Sequence, residues 1–337
     1  MTTQLIIHII SEVIYTQKFM KTEKFALIDI GTLKIKFEID EIDNDLNRNV
    51  FHKAKELTVM GRDLPKTNGM IVEESIQKAV HTLLAYREVL EKNKVVHFKV
   101  IATEALRKAK NVNQVLSRIK GETGFDIEII SAQEEASTLF KSVSRDFPNQ
   151  IIAVVDVGGG SVQIIIGKDN EIFEIYPFKA GTYFMQEEFY ATHFPTQKEF
   201  ENAKEFLQKE FIPLQQCKYK PQYIVYGTTN IIDFMNAMNI PLTKFASKGL
   251  HKYKTDIKEL KPVYEKIIKL SYEDRMPLYP EEPYYMWSAD NAILIIEQIS
   301  KYLDCKEIVP SNNNISIGML ENIAEEYYKS STSTPSE

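Results

Sequence analysis

One pattern occurs twice in this chain, and it constrains the fold more than any other. Ala26-Leu27-Ile28-Asp29-Ile30-Gly31 returns as Ala153-Val154-Val155-Asp156-Val157-Gly158. Each copy is an apolar run ending in Asp-x-Gly, followed by a second apolar run at residues 35–39 or 162–166. Two β-branched runs joined by a glycine turn read as a β-hairpin. The copies lie about one domain length apart, so a duplicated domain with its two turns facing a shared cleft is expected. Tight glycine turns present backbone N–H groups to an anion, and an aspartate beside each turn can hold hydrated Mg²⁺ against it. Phosphate chemistry between two domains is the implied function.

The bulk numbers agree with two domains. A chain of 337 residues with 44% hydrophobic and 26% charged residues falls in the ordinary globular range. Cys217 and Cys305 form no CxxC pattern, so neither a disulfide framework nor a zinc site is expected, and a reducing cytoplasm suits them. The net charge of −6 argues against broad nucleic-acid binding while leaving room for a local phosphate site. Leu5-Ile6-Ile7-His8-Ile9-Ile10 is too short for a membrane span, is broken at Ser11-Glu12 and lacks a basic leader, so no membrane anchor is expected. Met20-Lys21 directly precedes the first hairpin, so translation starting at Met20 is an expectation and no function is placed upstream. Domain boundaries are expected at 23–145 and 146–328, with the last helix of the second domain able to pack back on the first, after a 1–22 extension and before a disordered Ser/Thr-rich tail at 329–337.

Between the hairpins, apolar spacing predicts a helix over 72–91, a strand over 95–102, a helix over 103–120, a strand over 125–130 and a helix over 132–143. The second half adds a helix over 197–211, a short strand at 223–226 and helices starting at 231 and 289. Hairpins followed by alternating strand and helix predict α/β architecture in both halves.

Gly158-Gly159-Gly160-Ser161 is the most specific local signal. Three glycines in a strand context carry an entropic cost that close backbone approach to a ligand would offset, whereas a plain hairpin needs only one or two. Asp29-Ile30-Gly31-Thr32 takes its weight from the echo at 156. Ser131 and Glu134 read as a capping box. Glu135 is not needed for that cap: it is either a partner of the helix dipole or a general base acting on water. Arg107 follows a strand-to-helix unit, where it is either an exposed helix residue or a bidentate phosphate ligand. Tyr226-Gly227-Thr228-Thr229-Asn230 precedes a helix, as a plain N-cap or a phosphate site. The histidines show no ligand spacing, and there is neither a GxSxG elbow nor a GxxxxGK[ST] loop.

At these residues the chain resembles the exopolyphosphatase/guanosine pentaphosphate phosphatase family, in its short two-domain form. The likeness runs from about Phe25 to about Ile323. It is carried by the first loop at Asp29-Ile30-Gly31-Thr32, by Ala102-Thr103-Glu104-Ala105-Leu106-Arg107, by Ile130-Ser131-Ala132-Gln133-Glu134-Glu135-Ala136 and by Asp156-Val157-Gly158-Gly159-Gly160-Ser161, with Gly181 at another position the family uses. The resemblance implies two actin-like (ribonuclease H-like, ASKHA superfamily) domains with an interdomain cleft. It implies a cytoplasmic Mg²⁺-dependent hydrolase releasing terminal phosphate from inorganic polyphosphate or converting pppGpp to ppGpp, and it is compatible with a homodimer. Glu135 would activate water and Asp156, with Asp29, would hold Mg²⁺. Gly31, Thr32, Lys34, Arg107, Gly158, Gly159, Gly160, Ser161, Gly227 and Thr228 would bind phosphate.

The chain departs from the family pattern at defined places. The first loop reads Thr32-Leu33-Lys34 where Ser-Asn-Ser is usual, and the glycine loop reads Ser161-Val162-Gln163 where Ser-Thr-Glu is usual. The later turn, Gly227-Thr228-Thr229-Asn230, lacks its second glycine, and Ser316-Ile317 replaces an Arg-Glu pair. These changes motivate a rival expectation, a catalytically weak protein that binds polyphosphate or guanosine polyphosphates. A small-molecule kinase of the same superfamily is the remaining alternative.

Overall fold

The computed structural model describes residues 22–61, 64, 66–190, 195–227, 231–245 and 251–332. The repeated sequence is a repeated sheet. In the first half, β1 (Glu23–Ile30), β2 (Lys34–Ile42) and β3 (Arg48–Leu57) form an antiparallel meander, and β4 (His97–Ala102) and β5 (Glu128–Ile129) extend it in parallel beyond β1, giving the order β3-β2-β1-β4-β5. In the second half, β6 (Ile151–Val157), β7 (Val162–Lys168) and β8 (Glu171–Phe178) form the meander, and β9 (Tyr223–Gly227) joins β6 in parallel. The strands β10 (Thr243–Lys244), β11 (Tyr253–Asp256) and β12 (Glu307–Ser311) complete a seven-stranded sheet in the order β10-β11-β12-β9-β6-β7-β8.

Strand periodicity sets what each sheet face carries. On β1, Ala26, Ile28 and Ile30 pack under α1 (Glu73–Lys92) and the helix at Val112–Thr123, whereas Phe25 and Leu27 face the other way. On β6, Ala153, Val155 and Val157 enter the larger core of the second half, whereas Ile152 and Val154 face the opposite side. The covering helices are exchanged between the halves. The helix at Ala132–Ser144 follows a strand of the first sheet but packs Ala136, Leu139, Phe140 and Val143 on the second. The C-terminal helix at Ile315–Thr332 follows β12 of the second sheet but packs Ile315, Met319, Leu320 and Ile323 on the first. Residues 329–332 thus belong to this helix.

The expected helix over 103–120 is broken in two, at Glu104–Lys108 and Val112–Thr123. The break has a side-chain cause. Asn111 accepts from the Ile71 N–H at 2.9 Å and donates to the Ile71 carbonyl at 3.0 Å, and the Lys110 N–H goes to the Gly69 carbonyl at 2.8 Å. Asn111 is thereby bonded to the chain before α1 instead of continuing a helix. The capping box predicted at Ser131 is half present: its hydroxyl accepts from the Glu134 N–H at 3.1 Å, whereas the complete reciprocal pair occurs at Thr196 and Glu199. Within 125–130, only Glu128–Ile129 are strand.

The two exchanged helices cross at Gly318. A Cβ there would lie 2.7 Å from both the carbonyl oxygen and a side-chain carbon of Thr138. Gly318→Ala is therefore expected to destabilise the protein by about 1–3 kcal/mol through overpacking, read as a lower urea midpoint. An unchanged midpoint would show that the crossing yields without cost.

Candidate active site

Both hairpin turns close the same way: the Gly31 N–H reaches the Lys34 carbonyl at 3.0 Å, and the Gly158 N–H reaches the Ser161 carbonyl at 2.9 Å. Asp29 and Asp156 lie next to last in their strands on the faces covered by the exchanged helices, two residues beyond Leu27 and Val154 of the apolar pairs Phe25/Leu27 and Ile152/Val154, in the period of two. Each has a cross-strand neighbour on the same face, Lys36 opposite Asp29 and Gln163 opposite Asp156. A cleft of about 430 Å³ opens between the halves, within the range of small-molecule sites. It is lined by Asp29, Gly31, Thr32, Leu33, Lys34 and Lys36 from the first hairpin and by Asp156, Gly158, Gly159, Gly160, Ser161 and Gln163 from the second, with Glu135 between them.

Glu135 stands in the first turn of the exchanged helix at Ala132–Ser144. Arg107 spans the gap to it, donating to Glu135 Oε2 at 2.9 Å and to the Ile130 carbonyl at 2.8 Å. Burial pushes the Glu135 carboxyl up to about 7; the charges of Asp156 and Asp29 act in the same direction and Arg107 opposes them. Asp29 and Asp156 are also raised, chiefly by burial, and Lys36 opposes the rise at both. Lys36 Nζ lies 3.8 Å from Asp29 Oδ2. Three ammonium groups crowd this end of the cleft. Burial lowers Lys34, and Lys36 lowers it further; burial, then Lys34 and Lys36, brings Lys55 down to about 8. Such a cluster of partly desolvated cations can attract an anion, with Lys55 also ion-paired to Glu282.

The donor set fits a hydrated Mg²⁺. Asp29 is 4% exposed and its Oδ1 is buried with no hydrogen-bond partner. Asp156 shares its field, and the two carboxylates line one cleft. Among the described residues no group of three or more His, Cys, Asp or Glu side chains forms a metal cage. A cation here would take most of its ligands from water and phosphate, as Mg²⁺ does.

Other predicted residues are placed differently. Arg107 does not line the cleft; its guanidinium holds Glu135. Ser161 lines the cleft but donates to Glu104 Oε2 at 2.8 Å, joining the two halves. Gly227 sits beside Asp156 in the parallel register, near the Asn313 carbonyl and outside the lining. Thr228 lies outside the described residues. The glycine loop also has a packing role. A Cβ on Gly160 would meet Glu104 Oε2 at 2.7 Å, and one on Gly181 would meet the Gly159 backbone at 2.4 Å. The loop carbonyls of Gly158 and Gly159 accept from the N–H groups of Thr182 and Phe184, both at 2.9 Å. Sequence reasoning missed Lys36, Lys55 and Glu104 as cleft residues. For Lys36 the signal was available, because it is the cross-strand neighbour of a strand-end aspartate. Lys55 and Glu104 offered none.

The profile of the Ppx/GppA phosphatase family matches residues 39–326. A bifunctional 3-dehydroquinate synthase/phosphatase from Fusobacterium nucleatum is 25% identical over 321 residues, covering 91% of this chain and 47% of that protein. A guanosine-5'-triphosphate,3'-diphosphate pyrophosphatase from Vibrio vulnificus is 28% identical over 198 residues, covering 58% of this chain and 39% of that protein. The chain thus spans about half or less of both curated relatives. The crystal structure of an exopolyphosphatase from Cytophaga hutchinsonii superposes with a TM-score of 0.79 at 23% identity, covering 90% of this chain and 98% of that one. The shared architecture is the two-domain actin-like fold. With the profile spanning most of the sequence, the chain belongs to the Ppx/GppA phosphatase family.

Proposed function

We propose that this protein hydrolyses the terminal phosphoanhydride of a polyphosphorylated substrate, inorganic polyphosphate or pppGpp, in the cleft between its two halves. The observation that carries the reading is Glu135, a carboxylate with its pKa lifted to about 7, held by Arg107 beside two aspartates and a glycine loop. A general base works best with a pKa near the operating pH. Family membership and the names of the relatives support the reaction class.

In this reading the ammonium groups of Lys34 and Lys36 and the N–H groups of the glycine loop that do not close the turn, at Gly159 and Gly160, bind phosphate oxygens and fix the terminal phosphorus. Arg107 fixes the Glu135 carboxylate, which takes a proton from water as the water oxygen bonds to that phosphorus. The bridging P–O bond breaks, and its electron pair leaves on the shortened phosphate chain. Orthophosphate is released. Asp29 and Asp156 would hold Mg²⁺ through water, and that cation supplies charge neutralisation for the phosphates. Positioning and electrostatics are the main requirements of phosphoryl transfer.

Phosphate release from polyphosphate or pppGpp with Mg²⁺ tests the proposal. Glu135→Gln is expected to lower kcat by about 10²–10⁴-fold with the fold retained. Equal rates in wild type and variant would remove Glu135 from the reaction, and tight binding without turnover in the wild type would establish a binding homologue. The base must be ionised, so activity is expected to rise with pH along a limb centred near 7. Arg107 lowers this pKa, so Arg107→Met should move the limb alkaline; a limb that stays put or moves acidic contradicts the assignment. Chelation with EDTA is expected to abolish release and added Mg²⁺ to restore it; full activity in EDTA would exclude the cation's role.

A further inference from the structure

A row of four charged side chains, two lysines between two acids, crosses the first sheet and ends in the other half. Lys36 lies directly opposite Asp29 in the β1–β2 register, and Lys55 directly opposite Lys36 in the β2–β3 register. Directly opposed residues put their side chains on one face, so the first three groups span two strand spacings, about 10 Å. The fourth, Glu282, comes from the second half and pairs with Lys55, and all four line the cleft. We propose that Glu282 is a specificity-determining residue: its carboxylate occupies Lys55 in place of a phosphate, and only a phosphoanhydride chain long enough to extend past Lys36 displaces it. The inference rests on the phosphatase reading of the same cleft and adds to it a selection by chain length.

Like charges directly opposite on neighbouring strands repel, so the Lys36–Lys55 pair needs an anion on each side. Asp29 supplies one, 3.8 Å from the Lys36 ammonium, and Glu282 supplies the other. Lys53, two residues before Lys55 on the same face of β3, pairs within its own sheet, with Glu38 at 2.9 Å. The counter-ion of Lys55 is instead drawn across the cleft, from the path that a bound phosphate chain would take. Its release leaves the backbone in place. The Glu282 N–H donates to the Tyr279 carbonyl at 3.2 Å, and the Glu282 carbonyl accepts from the Tyr285 N–H at 2.9 Å, so both main-chain bonds survive when the side chain swings away. The Lys55 side chain is 36% exposed, which leaves its ammonium open to a competing anion. Ion pairs at such partly exposed positions are weak, whereas a phosphate chain bridging Lys36 and Lys55 would relieve their repulsion with more charge than one carboxylate carries. A chain that ends at Lys36 meets the Lys55–Glu282 pair intact. A longer one exchanges a phosphate for the carboxylate.

Binding measured in the Glu135→Gln background separates recognition from turnover. The probes are pyrophosphate and linear tetrapolyphosphate, titrated with Mg²⁺ by calorimetry. Glu282→Gln is expected to tighten tetrapolyphosphate about threefold or more and to leave pyrophosphate unchanged, so the ratio of the two affinities rises. Lys55→Met should move the ratio the other way, by weakening tetrapolyphosphate alone. Glu281 is exposed and lies outside the cleft lining, so Glu281→Gln removes the same charge one residue away and should leave the ratio as it was. If Glu282 served only to strap the two halves together, Glu282→Gln would weaken both probes. That result, a ratio unmoved by Glu282→Gln, or an equal rise in Glu281→Gln would overturn the inference while leaving the phosphatase reading in place. Failure of both probes to bind the Glu135→Gln protein would overturn both readings.

Discussion

Three carboxylates from three elements of the chain share one desolvated gap, and the rest of the site answers to that cost. Burial raises Asp29, Asp156 and Glu135, and the charges of the two aspartates add to the rise at Glu135. Buried like charges are unfavourable unless something compensates them. Lys36 does so at the aspartates and Arg107 at Glu135. The compensation is partial, and Asp29 keeps an unpartnered buried oxygen. Titratable groups displaced from their ordinary range in a cleft are a recurring mark of catalytic sites.

The exchange of helices places these groups together. Each sheet carries an aspartate on the face that the other half's helix covers, so neither half alone encloses the gap. The helix bearing Glu135 roots its apolar face in the second sheet, while Arg107, which orients the carboxylate, belongs to the first half. The Glu104–Ser161 hydrogen bond and the Lys55–Glu282 ion pair also cross the cleft. Relative movement of the halves would change the surroundings of Glu135 and the width of the cleft together.

The family departures find physical places in this frame. Gln163 is the cross-strand neighbour of Asp156, as Lys36 is of Asp29. The first position thus carries a neutral amide and the second a cation, which shifts the field of the site toward positive charge from the first hairpin. Lys34 joins Lys36 and Lys55 in the same region. The side chain of Leu33 lies against Gly159 across the cleft, where a Cβ on that glycine would meet it at 3.4 Å. Leu33 thus contributes packing between the two turns in place of a hydrogen bond.

The two hairpins, the α/β alternation and the aspartate near the end of each first strand were legible in the residues alone. These follow from local periodicity and turn chemistry, which the chain carries residue by residue. The sequence also marked Glu135 as either a partner of the helix dipole or a general base, and left that choice open. Partnership was not legible. That Arg107 grips Glu135, that Ser161 reaches Glu104 and that Asn111 breaks a helix by bonding Ile71 are contacts between segments distant in sequence. The partner of Lys55 was invisible for the same reason: Glu282 belongs to short turns near 272–287 with no periodic signal. These contacts exist only once the chain is folded, since a desolvated charge gains its meaning from what the fold sets against it.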